Sequence, residues 1–419
     1  MHAPSPLPLP APERVPVLDI LRGLALLGIL VMNMPGFGSS FFAEADGAHL
    51  WTQPWDLHAE AVRDMLFSGK FNSMFSLLFG LGFTLQYARM QASAPGRAIR
   101  LYLRRLGVLL AVGLVHGAFF WTGDVLHSYA LLGLLLVLPL RRAPPRTLVL
   151  LMALGLLYPV VSGSLRLWLV TPDVTARLVA TAQAFEASNN AAYGHGSFWQ
   201  AARENLRVFA YSYDNLWSLW GTLGWWVQLS ITMLLGMLAG RLQWVQRIPA
   251  LMPQIRRLTW WSLGIGLACG AVFTLVFALN RSPEPSPIKL LGSLCYWLSR
   301  LAMMVFYVLV VVRLAQQAAW QRRLAPLALA GRMPLTNYLM QTAICTTLFN
   351  GWGFGLWGRV GPAAGLLLAL LIFFAVQLPW SRWWLARHPR GPLEALWARL
   401  TYGQPRALPS APPAPTMPG

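Results

Sequence analysis

The sequence predicts an all-α protein, a polytopic transmembrane bundle of about ten helices. Three observations lead there. The 419 residues are 56% hydrophobic and only 11% charged, with a mean hydropathy of +0.51, a balance unlike that of a soluble chain of this length. Apolar runs of spanning length recur along the whole sequence. Arginines cluster in the short connections between those runs. A net charge of +19 would by itself suggest a nucleic-acid partner. Its confinement to short loops makes it a topology signal instead, so the lipid bilayer is the expected partner and nucleic acid is not.

The expected spans lie near 16–37, 65–88, 103–122, 125–141, 147–170, 217–240, 259–279, 288–313, 330–350 and 362–386, the fourth being the shortest. Residues 1–15 form a Pro-rich leader. The first span is too long, and lacks the small-residue cleavage site, for a signal peptide. Residues 16–403 form a single transmembrane domain with two long connections, 38–64 and 171–216. Within the second, the amphipathic run from Phe198 to Phe209 predicts one interfacial helix. Residues 404–419, rich in Pro and Ala, predict a disordered tail.

Charge orients the spans. Arg97, Arg100, Arg104 and Arg105, then Arg141, Arg142 and Arg146, then Arg256 and Arg257, then Arg322, Arg323 and Arg332 fall on one side. Most acids, including Glu44, Asp46, Asp56, Glu60, Asp124 and Asp173, fall on the other. The positive-inside rule then places both termini in the cytoplasm. Cys269, Cys295 and Cys345 all lie in apolar runs; their odd number and setting fit small core residues better than disulfides, and no metal-binding spacing is present.

The first span carries charge where a plain anchor would not. Asp19 and Arg22 are helical neighbours, and Asn33 lies about three turns beyond Arg22 on nearly the same face. Ionisable groups inside hydrocarbon are costly and rarely face lipid, which marks the stripe as a candidate site; the plain alternative is a pair that fixes packing. The second span opens Lys70-Phe71-Asn72-Ser73, where small and hydroxyl residues favour close helix packing. The third places His116 in its outer half, followed by Asp124, His127 and Tyr129. A histidine oriented by an acid is a natural proton acceptor near neutral pH. His116 with Asp124 is therefore the candidate catalytic pair, with His127 ranked below it. The ninth span begins at Pro334 and sets Asn337 and Gln341 one turn apart, as packing glue or as a cavity lining. Arg332 at its start is a candidate anion ligand, because arginine binds phosphate bidentately and a helix N-terminus favours negative charge.

At these positions the chain resembles the YeiB-like bacterial inner-membrane proteins, a family without an assigned function. The resemblance rests on Leu18-Asp19-Ile20-Leu21-Arg22-Gly23, Phe75-Ser76-Leu77-Leu78-Phe79-Gly80, His116-Gly117 with Gly123-Asp124-Val125-Leu126, Gly331-Arg332-Met333-Pro334-Leu335-Thr336-Asn337-Tyr338-Leu339, and Gly391-Pro392-Leu393-Glu394. It covers about 15–403. The family is distantly similar to membrane acyltransferases, the acyltransferase-3 group and the lysosomal heparan-glucosaminide acetyltransferase. These move an acyl group from cytosolic acyl-CoA to an acceptor on the far side. Their Arg-Gly pattern matches Arg22-Gly23, but Asn33 stands where they carry the active-site histidine.

The resemblance implies a bacterial inner-membrane acyltransferase with acyl-CoA as donor, an envelope glycan or lipid as acceptor and no tightly bound cofactor. On this reading His116 is the base, Asp124 orients it, and Asn33 donates to the acyl carbonyl. Asp19, Arg22, Arg105, Arg332, Asn337 and Gln341 form the donor site. The rival reading is a transporter or exporter of a small solute or envelope component, with the same stripe lining its path.

Overall fold

In the computed structural model, residues 15–403 are described; the leader, apart from its last residue, and the C-terminal tail lie outside them. The helices are α1 (Pro16–Gly38), α2 (Pro54–Leu66), α3 (Lys70–Ser93), α4 (Ala98–Phe119), α5 (Leu126–Leu132), α6 (Pro145–Leu169), α7 (Pro172–His195) and α8 (Phe198–Asp214). They continue as α9 (Leu216–Arg241), α10 (Ile248–Leu279), α11 (Pro287–Leu314), α12 (Ala318–Gly331), α13 (Pro334–Phe349), α14 (Pro362–Leu371), α15 (Leu378–Leu385) and α16 (Pro392–Tyr402). No strand occurs among the described residues. Many helices start with proline in the first turn, where its missing N–H costs nothing.

All ten expected runs are helical. Six are long and apolar enough to cross a membrane: α1, α6, α9, α10, α11 and the continuous rod from Pro362 to Leu385. The chain is thus a multi-pass membrane protein. The other four runs are shorter or more polar. The second begins at Lys70 rather than 65, because Gly69 turns the chain there at φ 74°, a left-handed conformation that favours glycine. Two further departures concern the long connections. The stretch 38–64 contains most of α2, and 171–216 folds into two helices, α7 and α8, rather than one. The split is made at Ser197, which accepts from Gln200 N while the Gln200 side chain accepts from Ser197 N. This reciprocal cap starts a new helix where Gly196 ends the last.

Burial separates centre from periphery. In its most apolar stretch α1 is 72% buried, whereas α6 is 11% buried and turns Leu154, Leu157, Val161 and Trp168 outward. So α1 is an axial helix and α6 a lipid-facing one. The axial position depends on a close crossing with α12: a Cβ at Gly23 would strike the Leu327 carbonyl, and one at Gly331 the Asp19 carbonyl. Glycine on both sides lets the backbones touch, as small residues do at helix contacts in membranes. The polar stripe on α1 therefore faces protein.

Candidate functional site

Of the cavities that helix α1 lines, two meet on one short segment of chain. The first, at the arginine-rich end, has a volume of about 120 Å³ and is walled mainly by apolar and aromatic side chains, among them Leu26, Ile29, Phe79 and Tyr129. Arg22, Gln86, Arg105 and Trp397 supply its polar and aromatic end. Arg22 Nη1 donates to Asp19 Oδ1 at 2.6 Å, the pairing expected from their spacing. The Arg105 guanidinium lies 3.5 Å from the centre of the Trp397 ring, and Trp397 Nε1 donates to the Arg105 carbonyl at 3.0 Å. That stacking aims a fixed positive charge at the cavity.

The second cavity, at the acid-rich end, has a volume of about 380 Å³ and is more polar. Asn33, Asn72, Asp124, His127, Ser128 and Tyr213 contribute to it. The six residues 124–129 form the partition between the two. Asp124, His127 and Ser128 face the outer cavity, while Val125, Leu126 and Tyr129 face the inner one. This division has the three-to-four-residue period of the helix that starts at Leu126, which sets 124, 127 and 128 on one face and 125, 126 and 129 on the other.

Asp124 is shared between two histidines. His116 Nδ1 lies 2.8 Å from Oδ1, and His127 Nδ1 lies 2.7 Å from Oδ2, an oxygen that also accepts from the His127 backbone N–H at 2.9 Å. All three side chains are buried. Each histidine uses its other nitrogen elsewhere. His116 Nε2 is 2.9 Å from Thr342 Oγ1, and His127 Nε2 is 2.6 Å from Tyr213 Oη. A carboxylate on Nδ1 fixes the ring and presents Nε2 as the working atom. For His127 that atom lies at the outer cavity, covered by a tyrosine of the α8 cap. For His116 it points toward α13.

The expected residues are thus divided. Asn33, Asp124 and the outer cavity come together, and so do Arg22, Arg105 and the inner one. His116 reaches the outer cavity through Asp124 rather than with its own ring, and His127, ranked below it, lines the wall. Asn337 and Gln341 line neither of these two cavities. Asn337 Nδ2 donates to the Ala330 carbonyl and to Ser381 Oγ, each at 3.1 Å. Gln341 Nε2 donates to the Leu26 carbonyl at 3.1 Å and to Gln377 Oε1 at 3.0 Å. Gln377, in the wide π-turn Ile372–Gln377, returns a bond to the Asn337 carbonyl at 2.8 Å. These amides hold α1, α13 and the last rod together. Arg332 stands outside the inner cavity's lining, and the adjacent N-terminus of α13 is already occupied. The Glu394 carboxylate accepts from Leu335 N at 2.7 Å, Thr336 N at 3.0 Å and Thr336 Oγ1 at 2.6 Å.

Three features escaped sequence reading: Tyr213 over His127, Trp397 over Arg105, and Arg300, fully buried in the middle of α11. A charge inside an apolar run was the signal for Arg300, the same one that marked Arg22. Residues 239–404 match a family described as a protein of unknown function, DUF418. The chain is 30% identical to the uncharacterized protein YxaH of Bacillus subtilis (strain 168), over 93% of this chain and 94% of that one. It is also 30% identical to the uncharacterized protein YeiB of Escherichia coli (strain K12), over 93% and 96%. A further relative, an uncharacterized 39.9 kDa protein of Bacillus acidopullulyticus, is 27% identical over 95% and 96%. With such identity running almost end to end, the chain belongs to the family of YeiB and YxaH.

Proposed function

We propose that this membrane protein transfers an acyl group from a cytosolic acyl-CoA to an acceptor bound on the opposite side of a bacterial inner membrane. The observation that carries this reading is the shared partition 124–129: an apolar cavity with cationic side chains at its polar end and a polar cavity with a His–Asp–His group meet on one short segment. Acyl transfer across a bilayer needs that arrangement, because the donor and acceptor approach from opposite faces and must meet where water is excluded.

In this mechanism the donor's anionic groups are held by Arg22 and Arg105, and its acyl thioester enters between Phe79, Tyr129 and Tyr338. An acceptor hydroxyl or amine displaces the Tyr213 hydroxyl from His127 Nε2. His127 takes its proton, the partition 124–129 shifts to join the two cavities, and the oxygen or nitrogen attacks the thioester carbonyl. The tetrahedral intermediate collapses with release of CoA thiolate, which receives the proton. Asp124 holds the His127 tautomer, and His116 holds Asp124, so this reading moves the base from His116 to His127. Asn33 faces the acceptor side. Both termini are cytoplasmic in this scheme.

The reading is tested in proteoliposomes containing acetyl-CoA and an envelope lipid and glycan extract. Thiol release that depends on the extract, with an acyl mass gain on one of its components by mass spectrometry, supports it. Equal thiol release by wild type and His127→Gln rejects it. The closed partition also suits an occluded transporter, which would show solute flux without any acylated product.

A further inference from the structure

Another cavity, of about 800 Å³, lies at the acid-rich end and shares no lining residue with the inner or the outer cavity. It is bounded by the ends of α6 and α10, the start of α11, the connection 280–286, helix α2 and the connection before α2. At its base α6 touches α11: a Cβ at Gly163 would sit 2.3 Å from Leu290 Cδ1.

Four charged side chains in this cavity have no counter-ion bonded to them. Arg166 and Arg281 line the wall made by α6 and the connection 280–286, and Glu44 and Glu60 line the wall made by α2 and the chain before it. None of the four forms an ion pair. Arg281 Nε has no hydrogen-bond partner, and Arg281 acts on the Glu60 carboxyl through space without bonding to it. The neighbouring charges are spoken for: Arg63 Nε donates to Asp64 Oδ1 at 2.9 Å, and Lys289 Nζ donates to the Ser282 carbonyl and, at 2.9 Å, to that of Glu284. Glu44 is held at φ 64°, a left-handed backbone unusual for a residue with a side chain, and its Oε1 accepts from Leu50 N at 2.7 Å. Such strain gathers at ligand clamps. The cavity also has an apolar side, with Leu167, Phe273 and Phe277, carried by helices that face lipid: in their most apolar stretches α6 is 11% buried and α10 22%.

We infer that this cavity holds the headgroup of a phospholipid that carries both a phosphate and a primary ammonium, as phosphatidylethanolamine does. Arg166 and Arg281 pair the phosphate, which suits the guanidinium fork. Glu44 and Glu60 accept from the ammonium, which has three N–H donors. The acyl chains lie along the lipid-facing sides of α6 and α10. Basic pockets between helices at a membrane face bind lipid headgroups, and the two carboxylates distinguish this one from a site for anionic lipid. The inference is independent of the acyl-transfer reading, and its test needs no acyl donor.

The test is native mass spectrometry of the full chain, delipidated in maltoside micelles and titrated with phosphatidylethanolamine, phosphatidylglycerol or glycerophosphoethanolamine. Wild type should take one phosphatidylethanolamine with about tenfold higher affinity than phosphatidylglycerol, the scale of one charge-assisted contact. Arg281→Gln and Arg166→Gln should each weaken both lipids by about tenfold. Glu60→Gln should weaken phosphatidylethanolamine and spare phosphatidylglycerol. Arg166 is exposed, so Arg166→Gln reads the site even if a change at Arg281 disturbs folding. Equal affinity for the two lipids, or the same affinities in every variant, would mean annular lipid only and overturns the inference. Glycerophosphoethanolamine binding as tightly as the lipid would assign a soluble zwitterion and overturn it too.

Discussion

His127 Nδ1 lies 2.7 Å from Asp124 Oδ2, on the oxygen that His116 leaves free. One buried carboxylate therefore sets the tautomer of two imidazoles, and only one of them lines a cavity. His127 shares the outer cavity with Asn33 and Tyr213, while His116 is closed off by Thr342 and stands beside Tyr338 at 5.4 Å between ring centres.

This asymmetry predicts unequal effects of the two histidines on acyl transfer. His127→Gln should lower turnover by about two to four orders of magnitude, the usual scale for a lost general base. His116→Gln, which keeps a donor to Asp124, should cost less than about tenfold and shift the pH profile, because His116 acts through the carboxylate. Equal losses in the two variants, with unchanged pH profiles, would show that the pair is only structural.

The fold was largely legible because the bilayer forces long apolar runs, and each expected run is a helix. The details lost were those set by tertiary contact. That α7 and α8 are two helices depends on the Ser197–Gln200 cap, which a hydropathy reading overlooks. Ranking His116 above His127 followed from its depth in the third span, with the Gly123-Asp124 turn just beyond it; which ring meets a cavity depends on how α8 lays Tyr213 and Phe209 over α5, and no spacing in the sequence encodes that. The fate of Asn337 and Gln341 was likewise decided by Gln377, presented by a π-turn. Arg300 was legible and overlooked.

A second prediction concerns the inner cavity. Arg105→Leu should weaken binding of a long-chain acyl-CoA by about tenfold or more in isothermal titration, with turnover at saturation nearly unchanged, since a remote anion contact contributes to binding rather than to chemistry. Arg105→Lys should recover only part of the affinity, because lysine lacks the planar face that stacks on Trp397. Full affinity in Arg105→Leu would remove the cavity from the donor path.

The connection at the acid-rich end makes a prediction about pH. Burial pushes the Glu60 carboxyl up from 4.5 to about 6; Arg63 opposes that rise, Glu44 and Asp64 add to it, and Arg281 opposes it. A raised carboxyl favours its protonated form in the folded state, so stability falls as pH rises from about 4.5 through about 6. Glu60→Gln should have the higher Tm above pH 6, and the two curves should converge toward pH 4.5. A gap that stays constant over this range would contradict the burial account.

Topology is tested by reporter fusions. With both termini cytoplasmic, fusions at residues 45, 95, 190 and 410 should report outside, inside, outside and inside. A cytoplasmic signal at 190 would place the α7–α8 cap, and with it Tyr213 and the outer cavity, on the donor's side, and would end the two-sided mechanism.

The last prediction joins stability to donor binding through Glu394. Its carboxylate caps the first turn of α13, and the same helix, α16, carries Trp397 one turn further on, stacked on Arg105. Removing the carboxylate in Glu394→Ala leaves the Leu335 and Thr336 N–H groups without their acceptor, at a cost of about 1–2 kcal/mol. If the cap also sets where α16 lies, Trp397 loses its register over the guanidinium and acyl-CoA affinity falls with the Tm. Glu394→Gln keeps an acceptor oxygen but not the charge that favours the helix start, so it should fall between Ala and wild type in both readouts. A Tm loss in Glu394→Ala with unchanged acyl-CoA affinity would show that α16 is a structural strut, with the Trp397–Arg105 stack held by other contacts.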